Sequence, residues 1–362
     1  MISLANLRPT LAAAAVFAAL TACSGGERAP GDAARASSGS VDLTGAGATF
    51  PYPLYSRWFS DYAAKTGVRI NYQSIGSGGG IRQLSEGTVD FGASDSPMSD
   101  AELAKAKGGP ILHVPTVLGA VAVTYNVAEL REPLQLTGAV LADVFLGRIT
   151  KWNDARIAAL NSGAPLPAKD ILVVHRSDGS GTTFIFTDYL AATSSSWATA
   201  PGKGKEVQWP VGLGGKGNEG VAGQVKQTPG TIGYVELAYA KQNRLPVAAI
   251  RNAAGEYVTP SVESATAAAA GVAERLDAST DYRVSIVNAP GAGAYPISSF
   301  TWILAYRNQP DSTKGRKLVD FLRWALREGG ASAAALDYAP LPPAMVSRLE
   351  QRLDSIRVGA RP

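Results

Sequence analysis

The chain has 362 residues, 46% of them hydrophobic and 18% charged, enough for two ordinary domains with real cores. A net charge of +4 with no concentrated basic run gives no reason to expect a nucleic-acid partner. One cysteine and two histidines exclude a disulfide framework and a Cys- or His-rich metal site, so neither a metal nor a cofactor is expected.

The first residues read as processing signals rather than fold. Arg8 precedes an apolar segment from Leu11 to Leu20, too short to span a bilayer and suited to secretion. The segment ends in Leu20-Thr21-Ala22-Cys23, which resembles a bacterial lipobox. That resemblance implies a lipoprotein signal peptide over residues 1–22 and acylation of Cys23. The protein would then be secreted across the cytoplasmic membrane and held by lipid on the periplasmic or outer face of a bacterial membrane. Residues 23–40 are small, polar and Pro/Gly-containing, the composition of a flexible tether.

From Val41 the pattern alternates strand and helix. "VDLTGAGA" reads as a strand entering a glycine loop, and "FPYPLYSRWFSDYAAKTG" as a helix with Leu54, Trp58 and Tyr62 on one stripe, stopped by Gly67. "VRINYQ" alternates as a strand, "GSGGGIRQLSEG" opens a short helix that Gly87 ends, and "VDFGAS" is the next strand. This βαβαβ order argues for a parallel sheet covered by helices. "ILHVPTVLGAVAVTYN" is a long apolar run without helical spacing, and Pro115 speaks against a helix, so a buried strand crossing between two lobes is expected. A second α/β region follows, with the strand "DILVVHR", the helix "TTFIFTDYLA" and the strand "GTIGYVE". "YRVSIVNA" and "SFTWILAYR" read as strands. "KGRKLVDFLRWALREGG" is an amphipathic helix burying Leu318, Phe321, Leu322, Ala325 and Leu326, and the Ala-rich stretch near Ser264–Ala273 is a plain helix. The fold class is therefore α/β with two lobes and a ligand cleft between them.

Three strand-to-helix junctions share one character: "GAGATF" (Gly45–Phe50), "IGSGGG" (Ile75–Gly80) and "DGSGTT" (Asp178–Thr183). The first N–H groups of a helix lack internal partners, and small residues let an anion reach them. Ser and Thr are also ordinary helix caps, so one such junction means little; three facing one cleft suit a small tetrahedral oxyanion. Arg176, at the end of the "DILVVHR" strand, has the guanidinium fork for such a ligand, and Asp178 is placed to hold it. Asp95 ends the "VDFGAS" strand. A carboxylate aimed at an anion makes sense when the ligand carries a proton to donate, as phosphate does near neutral pH and sulfate does not.

At these residues the chain resembles a known family. "TGAGATFPYPLYSRWF", "YQSIGSGGGIRQL", "VDFGASDSPMSD", "RSDGSGTTFIFTDYL", "WPVGLGGKGNEGV" and "GTIGYVELAYAKQN" resemble the periplasmic phosphate-binding protein of the high-affinity phosphate ABC transporter, in family order from Leu43 to about Leu349. The resemblance implies the two-lobed type II solute-binding fold, with lobes joined by two crossing strands and the first lobe built from both ends of the chain, so lobe 1 is expected from residues 41–115 and 288–362 and lobe 2 from residues 116–287. It implies phosphate contacts at Thr49, Phe50 (through its backbone), Ser77, Asp95, Arg176, Ser180, Gly181 (through its backbone) and Thr182, with Asp178 salt-linking the arginine. It also implies a non-enzymatic monomer that delivers inorganic phosphate to transmembrane permease subunits. Two positions depart from the family pattern. Gly78-Gly79 follows Ser77 where relatives often carry a second serine, and His175 stands where arginine is common.

Two other functions remain open from the residues alone: binding of another tetrahedral oxyanion such as sulfate, which Asp95 disfavours, and a phosphatase using the same anion cradle. A G-x-S-x-G elbow is absent around Ser180 and Ser77, and "GLGGKGNEG" fails as a P-loop because Gly217 follows Lys216.

Overall fold

The computed structural model describes residues 42–272, 275 and 279–359. The expected signal peptide, Cys23 and tether lie outside the described residues.

Eight strands form the main sheet: β1 (Leu43–Gly47), β2 (Ile70–Ser74), β3 (Phe91–Ser94), β4 (Ile111–Tyr125), β5 (Leu172–Arg176), β6 (Leu213–Gly215), β7 (Thr231–Glu236) and β8 (Ser298–Tyr306). Their order across the sheet is β2-β1-β3-β8-β4-β7-β5-β6. β1, β2 and β3 are parallel, with β8 antiparallel beside β3. β5, β6 and β7 are parallel, with β4 antiparallel beside β7. Each half thus holds three parallel strands and one reversed strand. Helices α1 (Tyr52–Thr66), α2 (Ser77–Glu86), α3 (Gly181–Thr193), α4 (Gly217–Gln227) and α5 (Leu237–Gln242) each follow a parallel strand directly or after a short loop.

The expected elements form for the expected reasons. Leu54, Trp58 and Tyr62 of α1 are buried, and Gly67 caps that helix with φ of 77°. The predicted apolar stripe of the long helix α6 (Ser312–Arg327) is buried in full, and Asp311 caps its first turn. The Ala-rich stretch is helical over Val262–Ala270.

All fifteen residues of β4 are buried, and the strand serves both halves. Its first part pairs with β8 and its last five residues pair with β7. The register of β4 and β8 shifts between Thr301 and Trp302, opposite Val117 and Pro115, so Thr116 is a bulge residue. Its hydroxyl donates to the Thr301 carbonyl at 3.2 Å and meets Tyr55 Oη at 2.7 Å.

The strand expected at "YRVSIVNA" does not form; residues 281–290 are irregular. Asp281, Tyr282 and Asn288 adopt φ of 52°, 54° and 50°, which interrupts extended backbone. Val284 and Ile286 are nevertheless buried, and the Ser285 hydroxyl donates to Asp188 Oδ2. Alternating side chains therefore reported burial, not pairing. This segment leads back beside β4, where Val121 N–H donates to the Ile297 carbonyl and Tyr295 Oη to that of Val121.

Candidate anion site

The carboxyl ends of two sets of three parallel strands converge, and these strand ends, the loops leaving them and the helix starts that follow carry every anion-binding residue named from the sequence. β1 leads to Thr49 and Phe50, β2 to Ser77, and β3 to Asp95. β5 ends on Arg176 and leads through Asp178 to Ser180, Gly181 and Thr182. β6 leads to Gly217 and Asn218, and β7 ends on Glu236. Thr49, Ser77, Asp95, Arg176, Ser180 and Thr182 are all at most 3% exposed, so the polar cluster is closed off from bulk water.

Arg176 is held rigidly. Its Nε donates to Asp178 Oδ1 at 2.8 Å and its Nη2 to Asp178 Oδ2 at 2.6 Å. This bidentate clamp leaves Nη1 directed at Thr182 Oγ1, 3.3 Å away. Asp178 Oδ1 also accepts the Gly217 N–H at 3.0 Å. Burial raises the Asp178 pKa, but the hydrogen bonds and charge of Arg176 outweigh it, and the group lies below its ordinary range. The pairing expected from sequence is present as a buried structural clamp.

α3 begins at the site. Ser180 is its cap, accepting the Thr183 N–H at 3.0 Å. Gly181 N–H donates to Ser77 Oγ at 3.1 Å. Thr182 N–H, one of the first-turn amides that no helical carbonyl reaches, has no protein acceptor among the described residues. A Cβ on Gly181 would lie 2.5 Å from Ser77 Oγ and 2.6 Å from Asp95 Oδ2, so only glycine lets this turn approach the opposite loops. Gly76, with φ of 87°, likewise leaves no room for a side chain: a Cβ would sit 2.3 Å from Asp178 Oδ2.

Ser77 Oγ is a junction. It accepts from Gly181 N–H and from Asp95 N–H, and donates to Asp95 Oδ2 at 3.4 Å. Asp95 Oδ1 accepts the Thr301 hydroxyl at 2.8 Å. Burial pushes the Asp95 carboxyl up to about 7, against the opposing pull of the Thr301 hydrogen bond, the Arg176 charge and Ser77. Near neutral pH this carboxyl therefore gives or takes a proton readily. The Gly78 N–H, left in place where the serine is missing, donates to the Gly179 carbonyl at 2.8 Å and ties the two loops together.

The sequence reading missed four residues here. Asn218 Nδ2 donates to Thr49 Oγ1 at 2.8 Å and to Thr182 Oγ1 at 3.2 Å, while its Oδ1 accepts the Glu236 N–H. Tyr239 Oη donates to the Thr49 carbonyl and Tyr338 Oη to the Phe50 carbonyl, each at 2.6 Å. Thr301 holds Asp95. Thr301 had a legible signal as the polar residue inside the apolar run "FTWILAY"; Asn218 had one as an amide at the start of a helix next to glycine. The tyrosines had none.

His175 turns away from this cluster, as strand alternation predicts. Its ring stacks on Trp209 with centroids 4.7 Å apart, and Nδ1 meets the Arg176 carbonyl. Burial lowers its pKa. His113 Nε2 accepts the Met98 N–H and its Nδ1 meets Asp281. Among the described residues neither imidazole is hydrogen-bonded to a hydroxyl.

A profile described as a PBP superfamily domain matches residues 32–328. A phosphate-binding protein PstS of Xylella fastidiosa (strain Temecula1) is 50% identical over 313 residues, covering 86% of this chain and 84% of that protein. The protein of the same name from Haemophilus influenzae is 46% identical, covering 86% and 92%. Among solved structures, a high-affinity periplasmic phosphate-binding protein bound with phosphate is similar with a TM-score of 0.68 at 24% identity, covering 86% of this chain and 93% of that one. A phosphate-binding protein from Stenotrophomonas maltophilia gives 0.67 at 21% identity, covering 87% and 94%. These structural likenesses establish the two-lobed type II fold.

Proposed function

This chain belongs to the PBP superfamily, among its phosphate-binding proteins, and from that premise we propose that it captures inorganic phosphate outside the cytoplasm and delivers it to the permease subunits of an ABC importer. The observation that carries the reading is the presence, in one buried cluster, of the guanidinium of Arg176, clamped by Asp178, and of the carboxyl of Asp95, which feels its charge. An arginine and free helix-start amides attract an anion; a carboxyl beside them admits one that shares a proton.

Thr49, Phe50, Ser77 and Asp95 would contact phosphate from lobe 1 (residues 41–115 and 288–362). Arg176, Ser180, Gly181 and Thr182 would do so from lobe 2 (residues 116–287), with Asp178 holding Arg176. Hydrogen bonds between the two sets, Gly181 to Ser77 and Asn218 to Thr49, fit a closed state. The protein acts as a monomeric carrier rather than an enzyme, consistent with relatives named as binding proteins. Calorimetric titration above pH 8 tests the reading: one phosphate per chain and little or no heat from sulfate is expected. Absence of phosphate binding would overturn it.

Among the described residues no helix is long and apolar enough to cross a membrane. Membrane attachment is proposed through lipid on Cys23, supported by the lipobox-like Leu20-Thr21-Ala22-Cys23. Labelling with a fatty acid should mark the parent chain and not Cys23→Ala; label on the variant would end that idea.

A further inference from the structure

Glu236 ends β7 with its side chain wholly buried, and its Oε1 has no hydrogen-bond partner. Its Oε2 accepts the Ala238 N–H at 2.8 Å and lies 3.0 Å from Tyr338 Oη. That same phenol lies 2.6 Å from the Phe50 carbonyl. A phenol has one proton. The carbonyl can only accept, and its contact is the shorter, so the tyrosine proton belongs to Phe50. The contact with Glu236 then sets two oxygens against each other unless the carboxyl brings a proton of its own.

We propose that Glu236 is a protonated positioning residue: its Oε2–H donates to Tyr338 Oη, which donates to the Phe50 carbonyl and so fixes the Phe50 peptide against the bound anion. The inference rests on the phosphate-binding reading of the site.

The surroundings agree with this. An ionised carboxylate buried with one oxygen unpartnered is strongly disfavoured. No ion pair reaches Glu236 among the described residues. Burial raises its pKa well above the ordinary range against the opposing pull of the Ala238 and Tyr338 hydrogen bonds, and the charges of Asp337 and Asp95 add to the rise. The phenols of Tyr338 and Tyr239 also face this region. A neutral Glu236 leaves Asp95 as the carboxylate that meets the ligand. Through its N–H, donated to Asn218 Oδ1, the same residue braces the loop that holds Thr49.

The test is phosphate and sulfate titration of Glu236→Gln, Tyr338→Phe and the double variant, with infrared spectra of the ligand-free parent and Glu236→Gln. Tyr338→Phe should weaken phosphate about tenfold, the effect of one hydrogen bond. Glu236→Gln, which keeps neutrality but loses the O–H donor, should weaken it by up to about tenfold and still exclude sulfate. The double variant should be no weaker than Tyr338→Phe, because Glu236 acts through that phenol. Losses that add, or a Glu236→Gln protein that binds phosphate more tightly or admits sulfate, would mean a buried negative charge had been removed and would overturn the proposal. The infrared arm needs neither phosphate nor a stable variant at the site: above pH 8, where Asp95 is ionised, a protonated-carboxyl C=O band should be present in the ligand-free parent and diminished in Glu236→Gln. If Glu236→Gln does not fold, a parent spectrum without any such band overturns the proposal. Failure of the parent to bind phosphate would instead refute the functional reading and leave the proton to the infrared result.

Discussion

On the proposed reading, Asp95 decides which oxyanion the cradle prefers. With its carboxyl at about 7, the site and ligand together hold one proton that either partner can carry. Dihydrogen phosphate opposite an ionised Asp95 and hydrogen phosphate opposite a neutral one are the same hydrogen-bonded pair. Sulfate can enter only when Asp95 supplies the proton. Sulfate competition against labelled phosphate should therefore be weak above pH 8 and strengthen as pH falls through about 7. Sites that pair a ligand hydroxyl reject the analogue lacking it by roughly 10⁴–10⁵-fold. Asp95→Asn should keep phosphate binding but lose much of that discrimination at every pH; a variant as strict as the parent would pass the selecting role to Arg176 or to cradle shape. The same residue predicts a stability profile without ligand. Its folded pKa is raised above the ordinary 3.8, so the folded chain binds the extra proton and the contribution is full below about pH 4. It is lost as pH rises through about 7, by a few kcal/mol. Denaturant melts of the parent and Asp95→Asn should diverge across that window and nowhere else on account of this residue.

At the scale of elements, the closeness of three loops does the work. The start of α3 presses on Ser77 and Asp95 with no space for a methyl group. Gly181→Ala should leave the melting temperature of the ligand-free protein nearly unchanged, because without ligand the lobes can part far enough to admit the methyl group. Phosphate affinity should fall about a hundredfold or beyond, read by calorimetry, since the closed geometry that joins both loop sets is lost. Much of this was legible in the sequence. Glycine and hydroxyl residues at strand ends announced the loops, and Arg176 with Asp178 announced the clamp. The packing partners were not legible, because Tyr239, Tyr338 and Thr301 reach the site from 190 to 288 residues away in sequence, where no local spacing marks them. The irregular path at residues 281–290 escaped for a related reason. Val284 and Ile286 alternate like a strand because they are buried, yet three left-handed residues deny them a partner strand.

For the whole molecule, β4 is the member that both halves share, and it is the natural axis for opening. The bonds that span the cluster include Gly78 to Gly179, Ser77 to Gly181, Asn218 to Thr49 and the ion pair of Lys205 with Glu102 at 2.7 Å. A ligand touching both loop sets adds its differential affinity to the closed form. Small-angle scattering should show a smaller radius of gyration with phosphate than without, and an unchanged radius would count against hinge closure. At about a thousandfold the dissociation constant, phosphate should stabilise the folded chain by about 4 kcal/mol, seen as a higher melting temperature.

The Tyr338 phenol that closes on the Phe50 carbonyl, and the Thr301 hydroxyl that meets Asp95, have a consequence for synthesis. By the time Thr182 leaves the ribosome, every residue expected to touch phosphate has been made. The pocket still cannot assemble, because its backing arrives only with the last stretch of chain. An unfinished polypeptide is thus a poor trap for the phosphate dissolved around the ribosome, and capture waits for a complete one.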